Sequence, residues 1–180
     1  MNRGLFSEFT EEDAQKAWKV LSDAIDKIYQ KNYSELSYEE LYKNAYHLVL
    51  HRYGEMTYKN LQETIEKNLR RYYQSLSQKQ EESFLNNFNN IWIDAKEMLK
   101  AISQIFLYMD KNYVAKQCIN PIKIMGYQIF KKVFLDDPLL RRKLITELLI
   151  LIRQERDGFK IDRMLIKNLL IMLVSHILNF

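Results

Sequence analysis

The sequence YSELSYEELYKNAYHLVLHRY, residues 33–53, decides the fold class of this chain because it contains start and stop signals of a helix. Ser37 and Glu40 have the spacing of a capping box, in which a hydroxyl and a carboxylate each accept a backbone N–H at the start of a helix. Gly54 follows the last residue of the pattern, where a left-handed glycine commonly ends a helix. The stretch therefore predicts a helix from about Tyr38 to Tyr53.

Two neighbouring stripes run along this helix at about 100° per residue. The first is apolar enough to form a core and consists of Tyr38, Leu41, Ala45, Leu48 and Val49. The second is largely aromatic and consists of Glu39, Tyr42, Tyr46, Leu50 and Tyr53. A helix needs only one buried stripe in a bundle. The second stripe therefore either packs on another helix of the same domain or forms a docking face, since tyrosine gives large contact area at low entropic cost.

The composition of the whole chain favours an all-α protein. Apolar residues make up 47% of its 180 residues, which is typical of a globular protein with a sizeable core. The 4 glycines and 2 prolines are too few for the turns that a sheet protein of this size normally needs. Apolar side chains at helical spacing predict seven helices and no strand, with short connections as in a bundle.

Three predicted helices in the second half of the chain bear on its architecture. Residues 84–113 contain neither Gly nor Pro, which predicts one rod about 45 Å long. Asp137 and Pro138 predict an N-cap and first residue of a helix that stops at Gly158. The last helix, residues 161–180, is apolar nearly all round and has no evident cap. We therefore expect it to be buried, and the chain to be a fragment whose last helix lacks onward partners.

Charge and targeting signals narrow the class of protein further. The formal net charge of +4 is mild, and basic pairs are scattered among acids, whereas a nucleic-acid binder more often shows a contiguous basic stripe. Cys118 is the single cysteine, which excludes an intramolecular disulfide and fits a reducing compartment. Residues 1–30 contain no apolar signal region, and the uncharged run 168–180 is too short to span a bilayer. We expect a protein of the cytoplasm and nucleus.

The sequence offers no constellation that supports catalysis. It contains neither a glycine-rich phosphate loop nor a nucleophile elbow. His47 and His51 lie four residues apart, a spacing that can bind zinc, but no third ligand is evident. Cys118 has no identifiable base beside it. We therefore expect a non-catalytic protein with no cofactor and no metal site.

Four segments, in register over residues 10–175, resemble the N-terminal region of the cullin family, and within it the cullin-3 class. LSYEELYKNAYHLVLHRYGEMTYKNL, residues 36–61, carries most of the resemblance. Trp18, with the apolar residues up to Ile25, is similar to the first helix of the family. Residues 107–114, LYMDKNYV, and residues 153–163, RQERDGFKIDR, match two further family segments. The family has Glu where this chain has Phe159, and residues 136–151 match only by pattern.

The resemblance implies a helical scaffold of a cullin-RING ubiquitin ligase. Residues 1–9 would be an N-terminal arm, residues 10–135 a first five-helix cullin repeat, and residues 136–180 the first helices of a second, truncated repeat. The first repeat would bind a BTB-domain substrate adaptor, usually dimeric, whereas the RING subunit would be recruited by a C-terminal half that lies outside this chain. Carried over by position, the docking residues are Leu36, Glu39, Tyr42, Tyr46, Arg52, Leu107 and Tyr113.

The sequence is also compatible with other functions. A basic helical module that binds nucleic acid would show steep salt dependence. A self-associating bundle would bring Tyr42 and Tyr46 against their symmetry mates. Phe6 or Phe9 in the arm could also help to grip an adaptor. The sequence names neither the adaptor nor the ubiquitylated substrate.

Overall fold

A computed structural model describes residues 9–77 and 84–177, and these residues form helices and no strand. The predicted all-α class is therefore confirmed. The helices are α1 (Glu11–Tyr29), α2 (Tyr38–Leu50), α3 (Gly54–Ser77), α4 (Phe84–Ile105), α5 (Leu107–Met109, then a π-helical turn Asp110–Val114 and Ala115–Gln117), α6 (Ile122–Phe130, then a π-helical turn Lys131–Leu135), α7 (Pro138–Arg156) and α8 (Arg163–Ile177). No helix in the described part is long and apolar enough to cross a membrane.

The chain divides into two compact units, and α3 and α4 each contribute to both. The described part of the first unit consists of residues 9–64 and Ala101–Pro121. Within it, α1 packs against α2, and α2 packs against α5. Its core side chains are almost wholly shielded from solvent and include Leu21, Ile25, Ile28, Leu41, Leu48, Leu61 and Met109. The core includes Leu41, Ala45 and Leu48 from the apolar stripe of α2.

The second unit, described over residues 65–77, 84–100 and 122–177, is built around a cluster of aromatic rings. Phe130 lies 4.5 Å from Phe134 and 6.3 Å from Phe88, measured between ring centroids. Gly126 in α6 lets Leu99 approach closely, since a Cβ there would lie 2.2 Å from Leu99 Cδ2. The repeat boundary at residues 135/136 stays a prediction.

The end of α2 differs from the predicted one. The helix stops at Leu50, and Arg52, not Gly54, takes the left-handed conformation, with φ of 70°. The Tyr53 N–H then donates to Leu48 O at 2.8 Å, as in a Schellman ending. Gly54 instead begins α3. Among the described residues, one of the two hydrogen bonds of the predicted capping box forms: the Ser37 hydroxyl accepts the Glu40 N–H at 3.4 Å.

The predicted single rod of residues 84–113 is also wrong. Phe106 leaves the helical conformation, with φ of −97° and ψ of 20°, so α4 and α5 are separate segments. The Phe106 side chain is fully buried. A π-helical turn then follows in α5, and such turns are common at functional sites. An apolar period without Gly or Pro thus does not guarantee one straight helix.

The helix caps show which sequence signals predicted the helix ends correctly. Asp137 caps α7 with Pro138 at its start, as predicted. Thr10 and Asp13 form a complete capping box at α1. Gly158, with φ of 90°, ends that helix in agreement with the sequence. The expectation that the last helix has no cap is wrong, because Asp162 Oδ1 accepts the N–H groups of residues 164 and 165 at 2.9 and 3.1 Å.

Helix α8 is buried on one side only, so the expectation of burial all round is wrong. Leu169 and Met172 are fully buried, whereas Ile171 and Val174 are each 51% exposed. Within the described chain, the helix therefore has a core face and an open apolar face.

The cap of α7 is reinforced by a phenol from α3. The Tyr73 hydroxyl donates a hydrogen bond to Asp137 Oδ2, while Asp137 Oδ1 accepts the N–H groups of Leu139 and Leu140. The Tyr73 hydroxyl, and then the Leu140 N–H, hold the pKa of the Asp137 carboxyl below its usual value. The carboxylate is therefore the form that the fold favours.

We expect Tyr73→Phe to lower the free energy of unfolding by about 1 kcal/mol near pH 6. Because the pKa of the Asp137 carboxyl is lower in the folded chain than its ordinary value of 3.8, its ionised form stabilises the fold above pH 3.8. This stabilisation is lost as the pH falls through the pKa of the folded chain. The difference between the two proteins should therefore narrow in acid. Urea unfolding near pH 6, and again in acid below the folded pKa of Asp137, measures the difference in stability between the two proteins, with Tyr38→Phe as the control. An equal difference at both pH values would contradict the pairing.

Candidate functional site

Helix α2 separates a core face from an exposed aromatic face. Leu41, Ala45 and Leu48 are buried, as the apolar stripe predicts, although Tyr38 at its start is 40% exposed. The second stripe is open. Its members are Glu39 (exposed), Tyr42 (40% exposed), Tyr46 (half-buried), Leu50 (49% exposed) and Tyr53 (half-buried). Packing inside the described chain therefore leaves much of this stripe uncovered.

Helix α5 extends the aromatic face of α2. The Tyr46 ring lies 4.6 Å from that of Tyr108, edge to face, which joins the two helices by an aromatic pair. Leu107 beside it is 44% exposed. Tyr108 belongs to a segment that resembles the family, but its contact with Tyr46 was not predicted. We call the exposed surface of α2 and α5, with Leu36 and Arg52, the α2–α5 face.

Tyr113 lies at the end of this face and is positioned by a glycine. A Cβ at Gly54 would lie 2.5 Å from Tyr113 Cδ2, so only glycine lets the ring lie against the start of α3. Burial, and then the negative charge of Glu55, raise the pKa of the Tyr113 phenol. The phenol is therefore uncharged at neutral pH and can contribute an apolar ring with a hydroxyl.

A second phenol in the first unit, that of Tyr58, is held by a hydrogen bond to the backbone. Tyr58 donates its hydroxyl hydrogen to Asn120 O at 2.8 Å, which ties α3 to the loop that follows α5. Burial, and then the charge of Asp110, raise the pKa of Tyr58. This contact holds the part of the first unit that carries Tyr113.

The predicted docking residues all lie in the first unit. Some lie near the two ends of α2, and the others lie along its middle and on α5. Leu36 and Glu39 lie at the N-terminal end of α2, and Arg52 lies just beyond its C-terminal end, about 20 Å away along 13 residues. Glu39 and Arg52 are exposed, and neither has an ion-pair partner among the described residues. The α2–α5 face thus carries an acidic end and a basic end.

The start of the described chain lies against α2. The Phe9 ring stacks on His51 with centroids 4.4 Å apart, and His47 stacks on His51 at 6.1 Å. The two histidines are thus packed aromatically, and no metal-binding group of three residues occurs in the described part of the chain. Phe9 is therefore partly engaged within the chain. Phe6 and the rest of the predicted arm lie outside the described residues.

Comparison with known proteins identifies the family. Residues 18–179 match the model of the cullin α-solenoid domain. The chain is 36% identical to Cullin-3 of Dictyostelium discoideum over 161 residues, covering 89% of the chain and 21% of that protein. It is 36% identical to Cullin-3B of Arabidopsis thaliana and 30% identical to human Cullin-4A, covering 90% and 88% of the chain and 22% and 21% of those proteins. The chain spans about a fifth of the length of these relatives. It belongs to the cullin family.

Proposed function

We propose that this chain is the adaptor-docking part of a non-catalytic cullin scaffold of a ubiquitin ligase, working in the cytoplasm and nucleus. The α2–α5 face would bind a BTB-domain substrate adaptor, and the whole ligase would support ubiquitin-dependent protein degradation. A RING subunit would be recruited by a region of the whole protein outside this chain. The observation that carries the proposal is the open aromatic stripe of α2, which the core of its own unit does not require.

The physical properties of the face support this role. Tyrosine is among the residue types that most often anchor a protein partner in a central, desolvated patch, and exposed leucine adds apolar contact area around it. Tyr42 and Leu107 have exposed area to lose on binding, while Glu39 and Arg52 can form charge pairs at the rim. The adaptor would therefore need an apolar groove with a basic group at one end and an acidic group at the other.

The resemblance supports a BTB-domain protein as the class of adaptor. Several relatives that cover about nine-tenths of this chain are named Cullin-3, and the segment around residues 107–114 resembles that class. A dimeric BTB protein would accept one chain on each of its subunits. A contact of this kind buries on the order of 1,600 Å² in total.

Hydrogen exchange of the free and adaptor-bound chain tests the proposed face. We expect a purified BTB dimer to slow amide exchange over Tyr38–Leu50 and over residues 107–117. Exchange over α7 and α8 should stay unchanged and provides the internal control. Protection confined to α7 and α8, with none in α2, would overturn the assignment.

A further inference from the structure

Helix α5 contains a widened turn at the place where it continues the α2–α5 face. The turn covers Asp110–Val114, and the Ala115 N–H donates to Asp110 O, five residues back, where a regular α-helix bonds four residues back. Just before it the ladder is still regular, since the Asp110 N–H donates to Phe106 O at 3.1 Å. The turn therefore holds one residue more than a regular turn of helix.

The extra residue brings side chains five positions apart to the same side of α5. In a regular α-helix such positions would point about 140° away from each other. Met109 and Val114 are five apart, yet both are buried, with 0% and 1% of their surfaces exposed. A turn that closes after five residues removes most of that angle. The core of the first unit thus receives both side chains.

Two tyrosines of α5 have the same spacing, and both contact other helices of the first unit. The Tyr108 ring lies 4.6 Å from the Tyr46 ring in the middle of α2, measured between centroids. The Tyr113 ring lies against Gly54 at the start of α3, so closely that a Cβ there would lie 2.5 Å from Tyr113 Cδ2. Both rings are therefore on the packed side of α5. This second pair needs the widened turn independently of the buried pair.

An asparagine side chain supports the turn from within. Asn112 Nδ2 donates to Tyr108 O at 3.0 Å, so Asn112 links the widened turn to the residue whose ring contacts Tyr46. Because backbone carbonyls shielded from water need a donor, a side-chain amide stabilises a stretch that departs from the regular ladder. Asn112 is half-buried, as expected for a side chain that serves the fold of the turn.

We propose that the π-helical turn of α5 is a one-residue insertion that keeps both tyrosines of α5 in contact with the first unit, with Asn112 as a positioning residue for the α2–α5 face. The turn takes up the extra residue, so that Tyr108 stays on Tyr46 while Tyr113 stays on Gly54. Its consequence for adaptor binding rests on the docking function proposed above. The register of the helix does not depend on that function and can be measured without an adaptor.

Deletion of Asn112 tests the register in the chain alone. The deletion should convert the widened turn into a regular one, because Tyr108 and Tyr113 would then be four positions apart and stay on one side. We expect the midpoint of thermal unfolding to stay within about 3 °C of the native value. Nuclear Overhauser contacts should persist between the Tyr46 and Tyr108 rings. Those between Gly54 and the Tyr113 ring should persist as well.

Three matched changes show whether this tolerance belongs to the widened turn. Deletion of Lys59, an exposed lysine in the regular helix α3, rotates the residues after it by about 100° and should lower the midpoint by about 10 °C or more. An alanine inserted after Asn112 adds a second extra residue and should abolish the contacts between Gly54 and Tyr113. Asn112→Asp keeps the turn but replaces the donor with an acceptor, and should lower the midpoint by about 5 °C, more than the deletion does.

Calorimetry with a purified BTB dimer tests the consequence for docking. Deletion of Asn112 should change the dissociation constant less than about threefold, whereas the alanine insertion should raise it at least about tenfold. Equal affinities of the native chain and the insertion variant, with the fold retained, would overturn the link to the α2–α5 face. Failure of the native chain to bind would count against the docking function and leave the register to be decided by the ring contacts.

The register is overturned if deletion of Asn112 costs as much stability as deletion of Lys59, or if it separates the Tyr108 ring from Tyr46. The positioning role of Asn112 is overturned if Asn112→Asp is no more damaging than the deletion.

Discussion

Tyr42→Ala should weaken binding of a BTB adaptor by about 2 kcal/mol, which is roughly a 30-fold rise in the dissociation constant. The Tyr42 side chain is 40% exposed in the chain and lies outside the buried core, so we expect the fold to tolerate its truncation. A partner that buries the ring would lose the contact and leave a gap in its own groove. Calorimetry gives the affinity, and thermal unfolding checks that the fold is retained.

Two comparisons make the Tyr42 result interpretable. Phe159→Ala truncates an aromatic side chain that is 66% exposed in the second unit and should leave affinity unchanged. Tyr46→Ala should also weaken docking, but it removes the Tyr108 contact and should lower stability as well. Unchanged affinity at both tyrosines would contradict the assigned α2–α5 face.

Gly54→Ala should lower the free energy of unfolding by about 1–3 kcal/mol, although alanine is the better helix former. The added Cβ would lie 2.5 Å from Cδ2 of the Tyr113 ring, and the atoms of a planar ring cannot bend aside one by one as the end of a flexible side chain can. The ring must therefore move, and adaptor binding should weaken with it. Chemical denaturation and calorimetry measure the two effects.

A double-mutant cycle separates this clash from a simple glycine effect. In the Tyr113→Leu background, Gly54→Ala should cost less than in the native chain, because the smaller side chain can make room. Equal costs in both backgrounds, or a gain in stability from Gly54→Ala alone, would show that the ring does not set the need for glycine.

Local signals predicted the ends of several helices, whereas contacts distant in sequence decided the rest. Asp137 with Pro138, and Gly158, act within one turn and can be recognised from the sequence. Gly54 was misassigned because its role comes from Tyr113, which lies 59 positions later in the chain. The break at Phe106 likewise has no Gly or Pro beside it, and the Phe106 side chain is fully buried, so the sequence around it carries no local signal for the break.

Part of the α2–α5 face could be predicted from the periodicity of the sequence. Periodicity alone separated the second stripe of α2 from the core stripe, and the structure leaves Tyr42 and Leu50 exposed. Periodicity could not bring α5 beside α2, since no spacing within either helix encodes the Tyr46–Tyr108 contact. The resemblance supplied that pairing of segments, and the docking role of the individual residues stays a prediction.

Titration of the chain with two purified adaptors tests the central proposal most directly: a dimeric BTB-domain protein and the small adaptor of the cullin-1 class. We expect sub-micromolar binding of the BTB protein alone, with one chain on each BTB subunit. Binding of neither adaptor, or preference for the second, would contradict the proposed partner and leave the family as the conclusion that stands.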